Sequence, residues 1–225
     1  MCLNSYDKRR SACLSHTGHA YTKACFLFRN MEKLQIVDFT TGEPTGEHMP
    51  RAEAIACGAW CRSTNVFVLN PQGEVLCHRR SALKERYPSV WSTHLGGHVT
   101  EGESFLMNAV KELEEESGIR VAPEALLAWR TSKIDASRLW VREFVVMIDP
   151  STITLTPQPG EVDEFQWISP SDIVHRSRAE TWLAGTHDFR TEYFCMRAVL
   201  TAAHAIGAIR IPDRLRAWHP EMVAE

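Results

Sequence analysis

The sequence predicts an α/β domain in which a mixed β-sheet is sandwiched between α-helices. Strand-like runs with interspersed helical patterns begin at Met31, and one later segment is an amphipathic helix bounded by glycines. Repeats and low-complexity linkers are lacking. The chain has 225 residues, 44% hydrophobic and 24% charged, which suffices for the core of one globular domain with appendages.

Taken in order, residues 1–30 carry Lys8, Arg9, Arg10, Lys23 and Arg29 against Asp7 and show no sustained periodicity. A disordered leader is expected there, with an organellar transit peptide as the alternative. The folded domain is expected over residues 31–210, and residues 211–225 read as a C-terminal tail. KLQIVDF followed by TTGEPTG reads as a strand and a turn, and NVFVLN and EVLCHRR, separated by PQG, as two strands of a tight hairpin. After the loop RYPSVWSTHLGG come a helix over about 104–117 and strands over 126–132, 139–148 and 164–168. Ser169 before Pro170 marks a helix start, and a last helix is expected over 191–206.

The net charge of −3 and pI near 6.4 give no broad footprint for a nucleic-acid polymer, and no apolar run is long enough to span a bilayer. A cytoplasmic protein acting on a small molecule is expected, and the composition leaves its oligomeric state open. The seven cysteines (Cys2, Cys13, Cys25, Cys57, Cys61, Cys77, Cys195) form no framework and are expected to be free thiols. Cys57, Cys61, Cys77 and His78 are not expected to form a zinc set, because neighbours such as Cys77 and His78 point to opposite faces of a strand.

The helix over 104–117 carries the chemistry. At about 100° per residue Phe105, Leu106, Ala109, Val110 and Leu113 fall on one arc that faces the core. Glu112 and Glu116 fall together at a border of that arc with Glu115 beside them, and Glu114 points outward. A solvated face would interleave lysines at i+4, yet Lys111 is the one cation here. Carboxylates kept side by side next to a core call for a cation, and oxygen ligands suit Mg²⁺ or Mn²⁺ shared with substrate phosphate. Gly118 supplies the left-handed residue that ends the helix.

Gly97, five residues, Glu103, seven residues, then Lys111-Glu112-Leu113-x-Glu115-Glu116-x-Gly118-Ile119 resembles the Nudix box, G-x5-E-x7-R-E-U-x-E-E-x-G-U. The departure is Lys111 in place of arginine, which keeps the charge but not the planar fork. The resemblance implies the Nudix fold and hydrolysis of a diphosphate linked to another moiety. It further implies that Glu112, Glu115 and Glu116 are the metal-binding and catalytic carboxylates, that the Gly96 carbonyl is an extra ligand, and that Glu103 pairs with Lys111. A later acid is expected among Glu161, Asp163 and Glu164, with Glu161 favoured; an ordinary acidic turn is the alternative.

IVDFTTGEPTG, VLNPQGEVLCHRRSALKERYPSVWSTHLGGHV and EVDEFQW extend the likeness over residues 33–176, to the Nudix branch that includes type I isopentenyl-diphosphate isomerase. By that likeness Arg80 and Lys84 contact the diphosphate. The isomerase's catalytic cysteine is replaced by Gly96, and its upstream metal-binding histidines by Ala54 and Cys61, while His98 remains. Its box is typically degraded, whereas this one keeps every glutamate, so hydrolysis is expected. An isomerase-like enzyme and a non-catalytic nucleotide-binding module are the alternatives. Trp60, Trp91, Trp140 and Phe165 are candidates to stack on a base, with ordinary burial as the competing reading.

Overall fold

The computed structural model describes residues 32–183 and 189–208; the leader expected over 1–30 and the tail over 211–225 lie outside them. Strands β1 (Lys33–Val37) and β2 (Pro44–Pro50) form an antiparallel hairpin. Its turn is set by Asp38, whose Oδ1 accepts from the amides of Thr40 and Thr41 at 2.9 and 2.8 Å. Helix α1 (Arg51–Cys57) follows directly and ends at Gly58, whose φ of 68° is left-handed. Neither β2 nor α1 is expected from the sequence. PTGEHMP is mostly exposed, so no alternating apolar pattern announces the strand, and α1 buries only Ala54.

Strands β3 (Cys61–Leu69) and β4 (Val75–Arg80) meet at the Asn70 turn, where Asn70 Oδ1 accepts from the amides of Gln72 and Glu74, each at 2.9 Å. The expected hairpin closes only there, at Leu69 opposite Val75. Beyond the turn the two strands find other partners. β3 pairs in parallel with β7 (Leu139–Met147) along its whole length, and β4 pairs antiparallel with β8 (Val162–Ile168). β6 (Leu127–Ile134) covers the outer side of β7, and the short β5 (Trp91–Ser92) lies beside β4.

Side-chain alternation divides this mixed sheet into two faces. Val66, Val68, Leu76 and Leu95 pack on one face with Ala109, Leu113 and Ile119 of α2 (Phe105–Ser117) and the residues after it. Phe67, Leu69, Val75, Cys77 and Val145 pack on the other with Ile173 of α3 (Pro170–Arg176) and Phe189, Tyr193, Met196 and Leu200 of α4 (Phe189–Ala205). Ser169 Oγ caps α3 by accepting from the Asp172 amide at 3.1 Å. The Tyr193 hydroxyl fastens α4 to the Asn70 turn by donating to the Gly73 carbonyl at 2.7 Å.

The loop entering α2 is locked by Glu103. Its carboxylate takes the Lys111 ammonium on both oxygens, at 2.9 and 3.0 Å, and accepts from the Asn108 amide at 3.2 Å. Burial alone would raise the Glu103 pKa, but the bonds and charge of Lys111, with Thr100 and Asn108, outweigh it and hold the carboxyl below its usual value. For Lys111 burial opposes the charge, yet Glu112, then Glu103 and Glu115, keep the ammonium above its usual range. The depressed carboxylate stabilises the fold above its unfolded pKa and loses that contribution as pH falls through the folded value. The raised ammonium stabilises below its unfolded pKa and is lost as pH rises through its folded value. Glu103→Gln is therefore expected to cost about 1–3 kcal/mol at neutral pH. Urea unfolding across pH should show the wild-type and variant stabilities converging in acid; a constant gap down to strongly acidic pH would refute the lock.

Candidate active site

Residues 93–99 run alongside β3 and bring two glycines over α2. Val66 and Leu95 exchange amide-to-carbonyl bonds at 2.7 and 3.0 Å, and the Gly97 carbonyl accepts from the Thr64 amide and the Ser63 hydroxyl, each at 2.9 Å. At Gly96 φ is +147°, and a Cβ there would lie 1.9 Å from the Thr64 carbonyl oxygen. A Cβ on Gly97 would lie 2.7 Å from the carboxyl carbon of Glu112. The β3 backbone at Thr64 fills the space a side chain at Gly96 would need, and the Glu112 carboxylate fills that at Gly97. Glu112 lies against Gly97, and Glu116 Oε2 accepts from the Gly96 amide at 3.0 Å.

Glu112 and Glu116 are each only 6% exposed, one turn apart on the buried side of α2. The arc expected from the sequence is rotated in the structure. Ala109 and Leu113 are its centre, while Phe105, Leu106 and Val110 are only partly buried against the cluster. Glu115 is exposed, whereas Glu114, expected to point outward, is half-buried and bonds Arg120 at 2.9 Å. Arg120 lies just beyond the helix end and recruits the carboxylate nearest to it. Ser104 Oγ caps the first turn and the left-handed Gly118, φ 77°, closes the last.

Asn108, missed by the sequence reading, is the hub of this edge. It is fully buried, accepts from the Thr64 hydroxyl at 2.6 Å, and directs its amide at the His98 carbonyl, Glu103 and Glu112 at 3.0, 3.2 and 3.4 Å. One side chain thus ties β3, the glycine loop and two box glutamates together. The available signal was a carboxamide beside Ala109 on the inward side of an otherwise apolar arc.

A second group forms where β4 ends and β8 begins. Lys84 and Glu161 make an ion pair with side chains 15% and 11% exposed. The turn carrying Lys84 docks on the start of β8 through the Ser81 amide to the Glu161 carbonyl, 2.9 Å, and the Ala82 amide to Asp163, 3.2 Å. Arg80 donates to the Tyr87 and Arg86 carbonyls, each at 3.1 Å, and shapes a loop in which Tyr87 and Ser89 have positive φ. Glu164 pairs with Arg79 at 3.5 Å. Burial, then the charge of Arg80 and Arg130, pushes His94 down to about 4. Burial, then His94, Arg80 and Lys84, pushes His78 down to about 3. Both imidazoles are therefore neutral at ordinary pH and bring no positive charge for an anion.

Other candidates are dispersed. Trp91 is buried and stacks on Trp182, with ring centroids 5.7 Å apart, under the Arg176 guanidinium. Trp140 donates to the Phe39 carbonyl and covers Gly42; Phe165 packs in the core edge-on to His78. Trp60 sits under the Lys133 ammonium, 4.8 Å from its ring centroid. Cys57 is exposed and Cys61 buried beside α1, while Cys77 belongs to the core on the α4 face; these and Cys195 are free thiols. A charged centre that the sequence reading did not single out lies on the α4 side, where Arg130 pairs with the buried Glu143 and, at 2.7 Å, with Glu192.

Among the described residues no three His, Cys, Asp or Glu side chains already converge at metal-ligand spacing. The donors nevertheless fit a hard divalent ion. Two carboxylates share the glycine cradle and all their donor atoms are oxygen, while Glu115 on the same helix is exposed.

Known proteins agree with this architecture. The chain is 33% identical over 131 residues to an uncharacterized Nudix hydrolase of Pseudomonas aeruginosa, an alignment covering 58% of this chain and 76% of that one. It is 28% identical over 190 residues to the isopentenyl-diphosphate Delta-isomerase of Brevibacterium linens, covering 79% and 98%. The crystal structure of a Deinococcus radiodurans protein shares the fold with a TM-score of 0.57 at 22% identity, covering 67% of this chain and 92% of that one. The family model of the NUDIX domain matches residues 59–187, which include β3, the glycine loop, α2 and β8, and the chain belongs to that family.

Proposed function

We propose that this protein hydrolyses a diphosphate linkage in a small molecule with Mg²⁺ or Mn²⁺, water attacking phosphorus. The observation that supports it most is the pair of buried carboxylates, Glu112 and Glu116, gathered against Gly96 and Gly97. Two like charges removed from water one helical turn apart are costly; the Lys111 ammonium, 3.8 Å from Glu112, offsets part of that cost, and a divalent cation would offset more. On this reading Glu112, Glu115, Glu116 and the Gly96 carbonyl would hold the ion. When bound it neutralises diphosphate charge and makes water a better nucleophile.

Arg80 and Lys84 bind the diphosphate, a fork and a point charge at one end of β4. Glu161 accepts the proton of the attacking water as oxygen bonds to phosphorus and the bridging P–O bond breaks toward the leaving group. Glu161 is preferred over its neighbours because it lies beside Lys84, the residue assigned to the diphosphate, whereas the Asp163 carboxylate docks the turn by accepting from the Ala82 amide and Glu164 lies on the more exposed Arg79. Gly97, Glu103, Lys111 and Gly118 shape the cradle; the ammonium of Lys111 holds Glu103 as the family's arginine would, through one nitrogen instead of a fork. Among the described residues no helix is long and apolar enough to cross a membrane, consistent with a small-molecule substrate met in water.

Isomerisation is disfavoured by the backbone at Gly96. The isomerase branch carries a cysteine at this position, but a side chain here would strike Thr64 and displace the amide that bonds Glu116. Gly96→Cys is therefore expected to destabilise the fold by about 1–3 kcal/mol and to yield no allylic isomer from isopentenyl diphosphate by NMR. A stable variant, or isomer formed by the wild type, would contradict the assignment. Glu116→Gln is expected to lower kcat on a diphosphate substrate by about 10²-fold or more with the melting temperature preserved. EDTA should abolish wild-type turnover, and full activity in EDTA would end the metal-dependent reading.

A further inference from the structure

The residues given separate tasks above, Lys84 for the diphosphate and Glu161 for the proton, are bonded to each other. A carboxylate oxygen facing an ammonium is a poor proton acceptor, and an ammonium already neutralised by a carboxylate attracts a phosphoryl oxygen less strongly. The two tasks therefore oppose one another in the resting protein.

The surroundings allow the pair to part without loss of structure. The turn at residues 81–84 is fixed to β8 by the Ser81 amide on the Glu161 carbonyl and by the Ala82 amide on Asp163. It is closed internally by the Lys84 amide on the Ser81 carbonyl at 3.1 Å and the Leu83 amide on Ser81 Oγ at 3.2 Å. Backbone contacts thus hold the turn, and the ion pair is a side-chain bond laid across it. Both side chains keep some contact with solvent, so an anion can reach them. A diphosphate carries more charge than one carboxylate and is the stronger partner for the ammonium.

We propose that Lys84 and Glu161 form an exchange pair: the substrate's diphosphate takes the Lys84 ammonium from Glu161, and the released carboxylate then accepts the proton of the attacking water. The base is thereby masked while the site is empty and exposed when a diphosphate is in place. This deepens the hydrolase reading and rests on it for the chemistry, although the exchange itself is a binding event that can be measured without turnover.

The exchange predicts an effect opposite to that of removing a ligand. Titration calorimetry with methylenediphosphonate and Mg²⁺ should give about fivefold tighter binding to Glu161→Gln than to the wild type, because Lys84 no longer has to leave a carboxylate. Lys84→Met should bind about tenfold more weakly, and in that background Glu161→Gln should change nothing. Melting temperatures establish that each variant is folded, and Glu161→Ala repeats the comparison should the glutamine variant not fold. Unchanged or weaker binding to Glu161→Gln overturns the exchange. So does equal tightening in the Lys84→Met background, which would mark a general charge effect, and so does absence of diphosphonate binding to every variant. Turnover of diphosphate compounds by the wild type is scored separately. Turnover without the tightening removes the exchange alone, and the tightening without turnover of any compound removes the hydrolase reading alone.

Discussion

The fit of two glutamate carboxylates against a stretch of chain that has no side chains is the constraint around which the rest of the structure is arranged. Gly96 and Gly97 lie so close to Thr64 and Glu112 that a single added carbon would collide, and Glu116 accepts from the Gly96 amide. For that approach to exist, residues 93–99 must be fixed to β3, which the bonds at Val66, Thr64 and Ser63 accomplish. β3 must itself be rigid, and its full-length parallel pairing with β7 makes it a central strand. The position of α2 is set from its other side by Leu113 and Ala109 in the core and by the Glu103–Lys111 lock at its entrance.

Placing charge at the edge of a core is costly unless donors meet it, and Asn108 supplies part of that here. That amide reaches a backbone carbonyl and two carboxylates while its oxygen takes the Thr64 hydroxyl. The arrangement couples the loop's position to the orientation of Glu112, so shape and charge at the cradle are set together. The second group, where β4 ends and β8 begins, is joined to the sheet by a different logic. Its turn is docked by backbone bonds, which leaves the side chains of Lys84 and Glu161 to change partners.

Much of this was legible in the sequence because α2 announces itself. The helix spans nearly the expected residues and ends at Gly118 as read, and the spacing of Glu112 and Glu116 placed both on the buried border where the structure has them. The pairing of Glu103 with Lys111 also followed from the motif, with the ammonium replacing the usual fork. What the sequence concealed had physical causes. β2 is exposed along most of its length and owes its form to β1, so no pattern of its own revealed it. The β3–β4 turn suggested a hairpin, but the strands separate because β7 and β8 offer longer ladders. A helical wheel treats each side chain alone, so it could not foresee Arg120 pairing with Glu114 or Asn108 occupying the inward face.

Hydrolysis at this site depends on whether the glycine cradle binds a divalent cation. Mn²⁺ titration followed by electron paramagnetic resonance, on the protein without substrate, tests this directly. The account predicts saturable Mn²⁺ binding that Mg²⁺ displaces and that is lost in Glu112→Gln/Glu116→Gln. Mn²⁺ that remains entirely in solution with the wild type, or that binds the double variant equally well, would contradict it.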